Sequence, residues 1–136
     1  MEILTNAANT PRPKPERITG IAHLFAATRY SFGGVRRLWQ ETAFRHMALA
    51  FPVCGTVLAL AGATWIEYCI LLVLFFALIA VEALNTAIEC IVDHLASDWQ
   101  EFARDAKDLG SLATMCMICA NCAFIGSVIF RALAHA

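Results

Sequence analysis

The sequence predicts an all-α membrane protein with three transmembrane helices preceded by an amphipathic surface helix. Two observations support this fold class. First, 60% of the 136 residues are hydrophobic, compared with roughly 45–50% in soluble domains. Second, three segments are long and apolar enough to cross a hydrocarbon core about 30 Å thick, which takes roughly 20 helical residues. We predict a single domain over residues 18–136, with spans at about 45–65, 66–95 and 106–132.

The part of the chain before the first span differs in composition from the rest. Residues 1–17 are polar and hold three of the four prolines, so we expect a disordered tail. Apolar side chains then recur at helical spacing over residues 19–32, which predicts a helix on the membrane surface. Packing of this helix on other protein is the alternative. The pair Gly33-Gly34 is expected to end it, and a new helix is expected to lead from Val35 into the first span.

The basic residues indicate the orientation in the membrane. Seven of the ten Lys and Arg residues lie before or at the start of the first span, and two more, Arg104 and Lys107, lie at the connection between the second and third spans. The connection between the first two spans has none. The positive-inside rule therefore places the N-terminus and the second loop in the cytoplasm. The net charge of −1 does not indicate nucleic acid binding.

The second span carries polar side chains on one face. At about 100° per residue, one arc of the helix holds Glu82, Asn85, Thr86, Glu89 and Asp93. Ionisable groups in such a helix are costly unless they face a bundle interior, water or a cation. Glu82 lies about 24 Å along the helix from the start of the span at 1.5 Å per residue, near the cytoplasmic edge of the hydrocarbon. This depth favours an interfacial site over a transport site, which would lie near the midplane.

The six cysteines all lie in apolar helical segments, which argues against a disulfide framework. Cys116, Cys119 and Cys122 have a spacing that iron–sulfur ligands can use. Such ligands normally come from a loop around the cluster, whereas this stretch predicts an uninterrupted helix. We therefore interpret the thiols as buried groups that pack like small hydrophobes.

Four short blocks of sequence carry a resemblance to a known family. They are EALNTAIECIVD over residues 82–93, AKDLGS over 106–111, YS at 30–31 and ETAFR over 41–45. In this combination they resemble the small bacterial integral-membrane diacylglycerol kinase family, and the likeness covers roughly residues 18–132. No P-loop or soluble-kinase motif accompanies them.

The resemblance implies a lipid kinase of the bacterial inner (cytoplasmic) membrane that transfers the ATP γ-phosphate to diacylglycerol and gives phosphatidic acid. It implies Glu82 as general base, Asn85 as a further catalytic residue, and Mg²⁺ held by Glu41 and Glu89. It also implies a homotrimer with shared active sites on the cytoplasmic side. Partner chains would help to bury the polar face away from lipid, and our hypothesis is that Glu41 then meets Glu89 across a chain boundary. The site would lie between the membrane lipid substrate and ATP.

The remaining site residues implied by the resemblance fall into three groups. The ATP contacts are Tyr30, Glu41, Glu89, Asp98, Trp99, Lys107 and Asp108. The lipid contacts are Phe44, Arg45 and Ser111, and Asp93 is a further active-site residue. The chain departs from the family's pattern at His23, Thr28, Met47 and Trp99-Gln100, and these positions bear on adenine contacts and nucleotide preference.

Several alternatives stay open from the sequence. Another lipid alcohol, such as undecaprenol, could be the acceptor, since the same motifs would serve any hydroxyl at the interface. A non-catalytic structural or regulatory membrane module would keep the polar face only for helix association. An ion conductor would need a continuous polar path, which the first span does not offer. Among single residues, Lys107 could extend to bilayer phosphates, Asp108 could stabilise a helix N-terminus, and Asp93 could be structural.

Overall fold

The computed structural model of the protein describes residues 20–96 and 98–135, and among them all side chains except those of residues 21–24, 26 and 27. These residues form four α-helices and no β-strand. The helices are α1 (Ile21–Leu38), α2 (Thr42–Leu60), α3 (Trp65–Leu95) and α4 (Glu101–Ala134). The all-α fold class is therefore confirmed, while the tail predicted at residues 1–17 lies outside the described residues.

Helix α1 does not end at Gly33-Gly34, where the sequence predicted a break, but continues to Leu38. A glycine in a helix interior costs about 1 kcal/mol relative to alanine. Neither of these glycines has a positive φ, so the helical hydrogen bonds persist through them. The chain turns instead just before α2, where Glu41 N–H donates to the carbonyl of Leu38 at 2.9 Å. By its contacts the chain divides into a unit ending at Gly33 and a second unit beginning at Gly34.

Helices α2, α3 and α4 are each long and apolar enough to cross a membrane. The 31 residues of α3 and the 34 residues of α4 correspond to about 45–50 Å of helix at 1.5 Å per residue. This exceeds a hydrocarbon core about 30 Å thick. Part of α3 and of α4 therefore extends beyond the hydrocarbon core, and charged residues in that part can lie outside the core while still belonging to the helix.

Helices α3 and α4 form the most extensive helix pair, and α2 packs against both. Side-chain contacts along the pair record its register: Arg131 with Glu67, Asn121 with the carbonyl of Leu74, Thr114 with Glu82, and Lys107 with Asp93. Residue numbers rise along one helix as they fall along the other, so the two helices are antiparallel. The polar face predicted on the second span is therefore the face that α4 covers.

The apolar core lies towards the other end of the bundle. Leu58, Leu71 and Val128 are buried together there, one from each of the three helices. The turn between α2 and α3 contains Gly62 at φ +64°, a backbone conformation that favours glycine. Glu67 accepts a hydrogen bond from the backbone N–H of Thr64 at 2.6 Å and pairs with Arg131 at 2.9 Å. This pairing ties the start of α3 to the end of α4.

Four of the six cysteines are exposed in the single chain: Cys90, Cys116, Cys119 and Cys122. For these four the expectation of buried thiols is wrong. An exposed position on a helix that crosses a membrane faces lipid or another helix, where a thiol behaves as a small apolar group. Helix α4 runs without interruption through the last three, which leaves no loop to wrap a cluster.

Leu58→Ala is expected to lower the free energy of unfolding by about 2–5 kcal/mol, because it leaves a cavity where a leucine is fully buried. Leu60 lies on the same helix but is 86% exposed, so Leu60→Ala is the matched control, with an expected change within about 0.5 kcal/mol. Thermal unfolding in detergent, followed by circular dichroism, measures both variants. Equal melting temperatures for the two would contradict the assigned core.

Candidate active site

One pocket of about 330 Å³ gathers most of the polar face of α3. We call it the carboxylate pocket. Its lining consists of Glu41, Ala43, Glu82, Asn85, Thr86, Glu89, Ser111, Thr114, Met115 and Ile118. Five of the site residues implied by the resemblance lie here, on the chain before α2 and on α3 and α4. The structure thus brings together in space residues that are up to 70 positions apart in the sequence.

Glu82 is the most deeply placed carboxylate of the pocket, with only 4% of its surface exposed. Its Oε2 atom accepts a hydrogen bond of 3.1 Å from the hydroxyl of Thr114 on α4. A buried carboxylate without a partner would be strongly unfavourable, so this bond is part of what allows Glu82 to occupy the site. The sequence analysis did not identify Thr114, which becomes a candidate only once α4 is placed on α3.

Asn85 lies one helical turn from Glu82 and is also buried, with 9% exposure. Its Nδ2 group donates a hydrogen bond of 2.9 Å to Oε1 of the half-buried Glu89. Among the described residues, its Oδ1 atom has no hydrogen-bond partner. The amide therefore orients Glu89 from within the same helix.

Glu41 reaches the pocket from the turn between α1 and α2, where its backbone is extended. Its carboxylate pairs with the guanidinium of Arg37, which also donates to Sγ of Cys90 on α3 at 3.4 Å. These two bonds raise the pKa of Arg37, and the bond to Glu41 has the larger effect. The guanidinium is therefore charged at any physiological pH. The sequence analysis missed Arg37, although its position four residues before Glu41 is the spacing of a helical ion pair.

Glu41 and Glu89 line the same pocket of a single chain. A second chain is therefore not needed to bring these two carboxylates together. The physical reason lies in the turn after Leu38, which folds Glu41 back beside α3 with Arg37 as the connection. The sequence alone could not show this turn, because it predicted a continuous helix from Val35 into the first span.

The donor chemistry of the carboxylate pocket fits a hard cation. Glu41, Glu82 and Glu89 place like charges around one small space, and a cation would offset their repulsion. Within residues 20–96 and 98–135, no group of three or more His, Cys, Asp or Glu side chains is arranged to hold a metal ion. Mg²⁺ commonly takes one or two carboxylates and completes its shell with water and substrate phosphates. The residues therefore fit a magnesium ion that arrives with a phosphate ligand.

A second pocket of about 410 Å³ lies at the connection between α3 and α4, and we call it the loop pocket. Its lining includes four of the implied ATP contacts, Asp98, Trp99, Lys107 and Asp108, together with Asp93, Gln100 and Arg104. Lys107 forms an ion pair of 2.5 Å with Asp93. The guanidinium of Arg104 lies 6.0 Å from the centre of the largely exposed Trp99 ring. Cations and an exposed aromatic ring thus share one open pocket.

Three further implied site residues line neither pocket. Tyr30 belongs to the first unit, where the Arg29 guanidinium lies 5.9 Å from its ring centre. Phe44 is buried and packs edge-on against Trp39, with ring centres 6.0 Å apart. Arg45 donates to the hydroxyl of Thr42 at 3.1 Å. Their roles towards nucleotide or lipid stay predictions from the resemblance.

Thr114→Val is expected to lower the free energy of unfolding by about 1–3 kcal/mol, because it leaves the buried Glu82 carboxylate without its hydroxyl donor at unchanged side-chain volume. Thr114→Ser keeps the donor and is expected to lose less than half as much. Thermal unfolding of both variants in the same detergent measures the difference. Equal losses in Val and Ser would assign the effect to the packing of the threonine methyl group instead.

Comparisons with known proteins identify the family of the chain. A model of the family described as prokaryotic diacylglycerol kinase matches residues 29–130. Over 114 residues the chain is 46% identical to a diacylglycerol kinase of Sinorhizobium sp, covering 84% of this chain and 83% of that protein. It is 34% identical over 106 residues to one of Escherichia coli (strain K12), covering 74% of this chain and 83% of that protein. It is 30% identical over 115 residues to a diacylglycerol kinase of Haemophilus influenzae, covering 84% of this chain and 98% of that protein. The chain therefore belongs to the prokaryotic diacylglycerol kinase family.

Proposed function

We propose that this chain transfers the γ-phosphate of ATP to the free hydroxyl of diacylglycerol, giving phosphatidic acid, on the cytoplasmic side of the bacterial inner membrane. Membership in the family makes the chain an ATP-dependent lipid kinase. The choice of diacylglycerol, the catalytic residues and the metal are our proposal. The main support for this proposal is the carboxylate pocket, which is lined by Glu41, Glu82 and Glu89 at the polar end of a bundle of apolar helices.

The lining of the carboxylate pocket supports an amphiphilic acceptor. Its polar side holds the carboxylates, while Met115 and Ile118 give it an apolar side. Ile118 also lines a neighbouring apolar cavity of about 250 Å³ among α2, α3 and α4. A lipid could therefore place its hydroxyl near Glu82 and its first methylene groups against apolar side chains.

Glu82 is the proposed general base for the lipid hydroxyl. Thr114 holds Oε2, which leaves Oε1 for the hydroxyl proton. As the proton moves to Glu82, the lipid oxygen forms a bond to the γ-phosphorus, and the bond from that phosphorus to the bridging oxygen breaks to release ADP. General base catalysis of this kind typically contributes about 10²–10⁴ in rate.

Glu41 and Glu89 are the residues that would hold Mg²⁺. When bound, the ion would neutralise charge on the phosphates of ATP. The chain's own contribution is to hold the two carboxylates in place: Asn85 orients Glu89 through its amide, and Arg37 pairs with Glu41. Each carboxylate thus has one donor beside it and a second oxygen that can bind the ion.

The loop pocket is the proposed site for the rest of the nucleotide. Lys107 supplies a cation for the phosphates, and its pairing with Asp93 holds its ammonium group in this pocket. The exposed ring of Trp99 offers a flat surface for adenine. Asp98 and Asp108 are within the same lining and supply hydrogen-bond acceptors.

The homotrimer is proposed from the family resemblance alone. The single chain already buries Glu82, Asn85 and Thr86 against α4, so the polar face of α3 does not by itself require partner chains. Many apolar side chains of the three long helices remain exposed. These surfaces can face either lipid or neighbouring copies, and chemical cross-linking in native membranes distinguishes the two.

Glu82→Gln is expected to reduce phosphoryl transfer to diacylglycerol by about 10²–10⁴, because an amide accepts the Thr114 hydrogen bond but cannot take a proton. The measurement is transfer of labelled γ-phosphate in mixed micelles with Mg²⁺, with undecaprenol as a parallel acceptor. Wild-type transfer to undecaprenol alone would keep the mechanism and change the substrate. Full activity of the variant would support a non-catalytic role for the polar face of α3.

Glu89→Gln and Glu41→Gln are each expected to raise the Mg²⁺ concentration for half-maximal activity by about tenfold or more, because each removes one of two hard anionic ligands. Titration of activity with Mg²⁺ at fixed ATP measures the shift. Glu101→Gln is the matched control, since Glu101 is an exposed residue that lines neither pocket. An unchanged Mg²⁺ requirement in both test variants would place the metal elsewhere.

A further inference from the structure

Gly110 on α4 lies directly against the polar face of α3. This glycine is buried, and a Cβ atom added to it would lie 2.0 Å from Oδ1 and 3.1 Å from Cγ of Asn85. Contacts this short are not tolerated, so any other residue would force Asn85 to move. By contrast, a Cβ atom added to Gly126 on the same helix would meet nothing within 4 Å.

Asn85 is held on both sides of its amide. On one side Nδ2 donates to Glu89, and on the other side Oδ1 lies against Gly110. This Oδ1 atom is buried and, among the described residues, lacks a hydrogen-bond partner. The Cα–H group of Gly110 can provide a weak contact for the Asn85 Oδ1 atom. The orientation of the amide, and through it that of Glu89, thus depends on the space that the glycine leaves.

We propose that Gly110 is a positioning residue of the active site, whose missing side chain allows α4 to hold the Asn85 amide in the orientation that binds Glu89. This inference rests on the proposed function, in which Glu89 is a ligand of the metal. The same helix holds Glu82 through Thr114, four residues further on. Two successive turns of α4 therefore orient two functional groups of α3.

The effect of a methyl group at position 110 falls on the Asn85 side chain rather than on the backbone. The added Cβ would lie 3.7 Å from Cβ of Asn85, which is an ordinary contact, whereas Oδ1 would have to leave its place. The amide would then rotate away from Glu89 while the two helices stay packed. The substitution should therefore disturb catalysis more than folding.

The first test compares Gly110→Ala with Gly126→Ala in the purified full chain, in mixed micelles with diacylglycerol, ATP and Mg²⁺. Gly110→Ala is expected to lower kcat by about ten- to a hundredfold, because small displacements of positioning groups have effects of this size. The KM for the lipid is expected to stay within about twofold, because Glu89 is not proposed to touch the acceptor. Equal kcat values for the two variants would overturn the proposal.

The second test needs no activity and uses thermal unfolding of Gly110→Ala in two backgrounds, wild type and Asn85→Ala. The melting temperature should fall when Asn85 is present and change little when it is absent, because the atom that would clash has been removed. An equal fall in both backgrounds would overturn the proposal. If Gly110→Ala alone failed to fold, restored folding in the double variant would support the inference, and a double variant that also failed would overturn it.

The two tests separate this inference from the proposed function. A well-folded wild type that transfers phosphate to no lipid would overturn the proposed function. The melting comparison would then still decide whether Gly110 positions Asn85. If the wild type is active but Gly110→Ala lowers the melting temperature equally in both backgrounds, the proposed kinase function stands and the role of Gly110 is rejected.

Discussion

The structure depends on one constraint: a polar side chain on a membrane helix must find a partner inside the protein. Helix α3 carries a face of carboxyl, amide and hydroxyl groups on a helix that is mostly apolar. Helix α4 covers this face in an antiparallel arrangement and meets it with Thr114 and with a glycine that allows close approach. Covering the polar groups also determines their orientation, so the packing that makes the helix compatible with a membrane also builds the site.

The charges around the carboxylate pocket follow from the same constraint. Three carboxylates share its lining, and their mutual repulsion is larger in a partly buried setting than in water. Arg37 offsets part of it at Glu41, and Asn85 does so by hydrogen bonding at Glu89. The remaining negative charge is suited to a cation and the phosphates that accompany it. The lysine of the loop pocket lies only a few helical turns away along α4, where an extended triphosphate could reach both pockets.

Helical periodicity was sufficient to predict three spans and the polar face of α3, because both are properties of one helix at a time. It could not identify Thr114 or Arg37, since their roles depend on which helix lies beside them and on the turn after Leu38. The predicted helix break at Gly33-Gly34 was wrong because glycine only weakens a helix, and here no positive φ is adopted. The structure also places Glu41 and Glu89 in one pocket of a single chain, which the sequence could not show because helical periodicity did not predict the turn after Leu38. The motif resemblance, by contrast, supplied the family directly, and the comparisons confirm it.

The block of sequence over residues 106–111 gains a physical explanation from the pairing of the helices. Lys107, Gly110 and Thr114 are separated by three and four residues, so they lie on one face of α4. Each meets a different group of α3: Lys107 pairs with Asp93, Gly110 accommodates Asn85, and Thr114 binds Glu82. The contacts run from an exposed ion pair, through a close backbone approach, to a buried hydrogen bond. One face of α4 thus presents a charged group, then a glycine and then a hydroxyl group to α3. In the proposed function these three positions lie beside the nucleotide, the metal and the lipid hydroxyl, respectively.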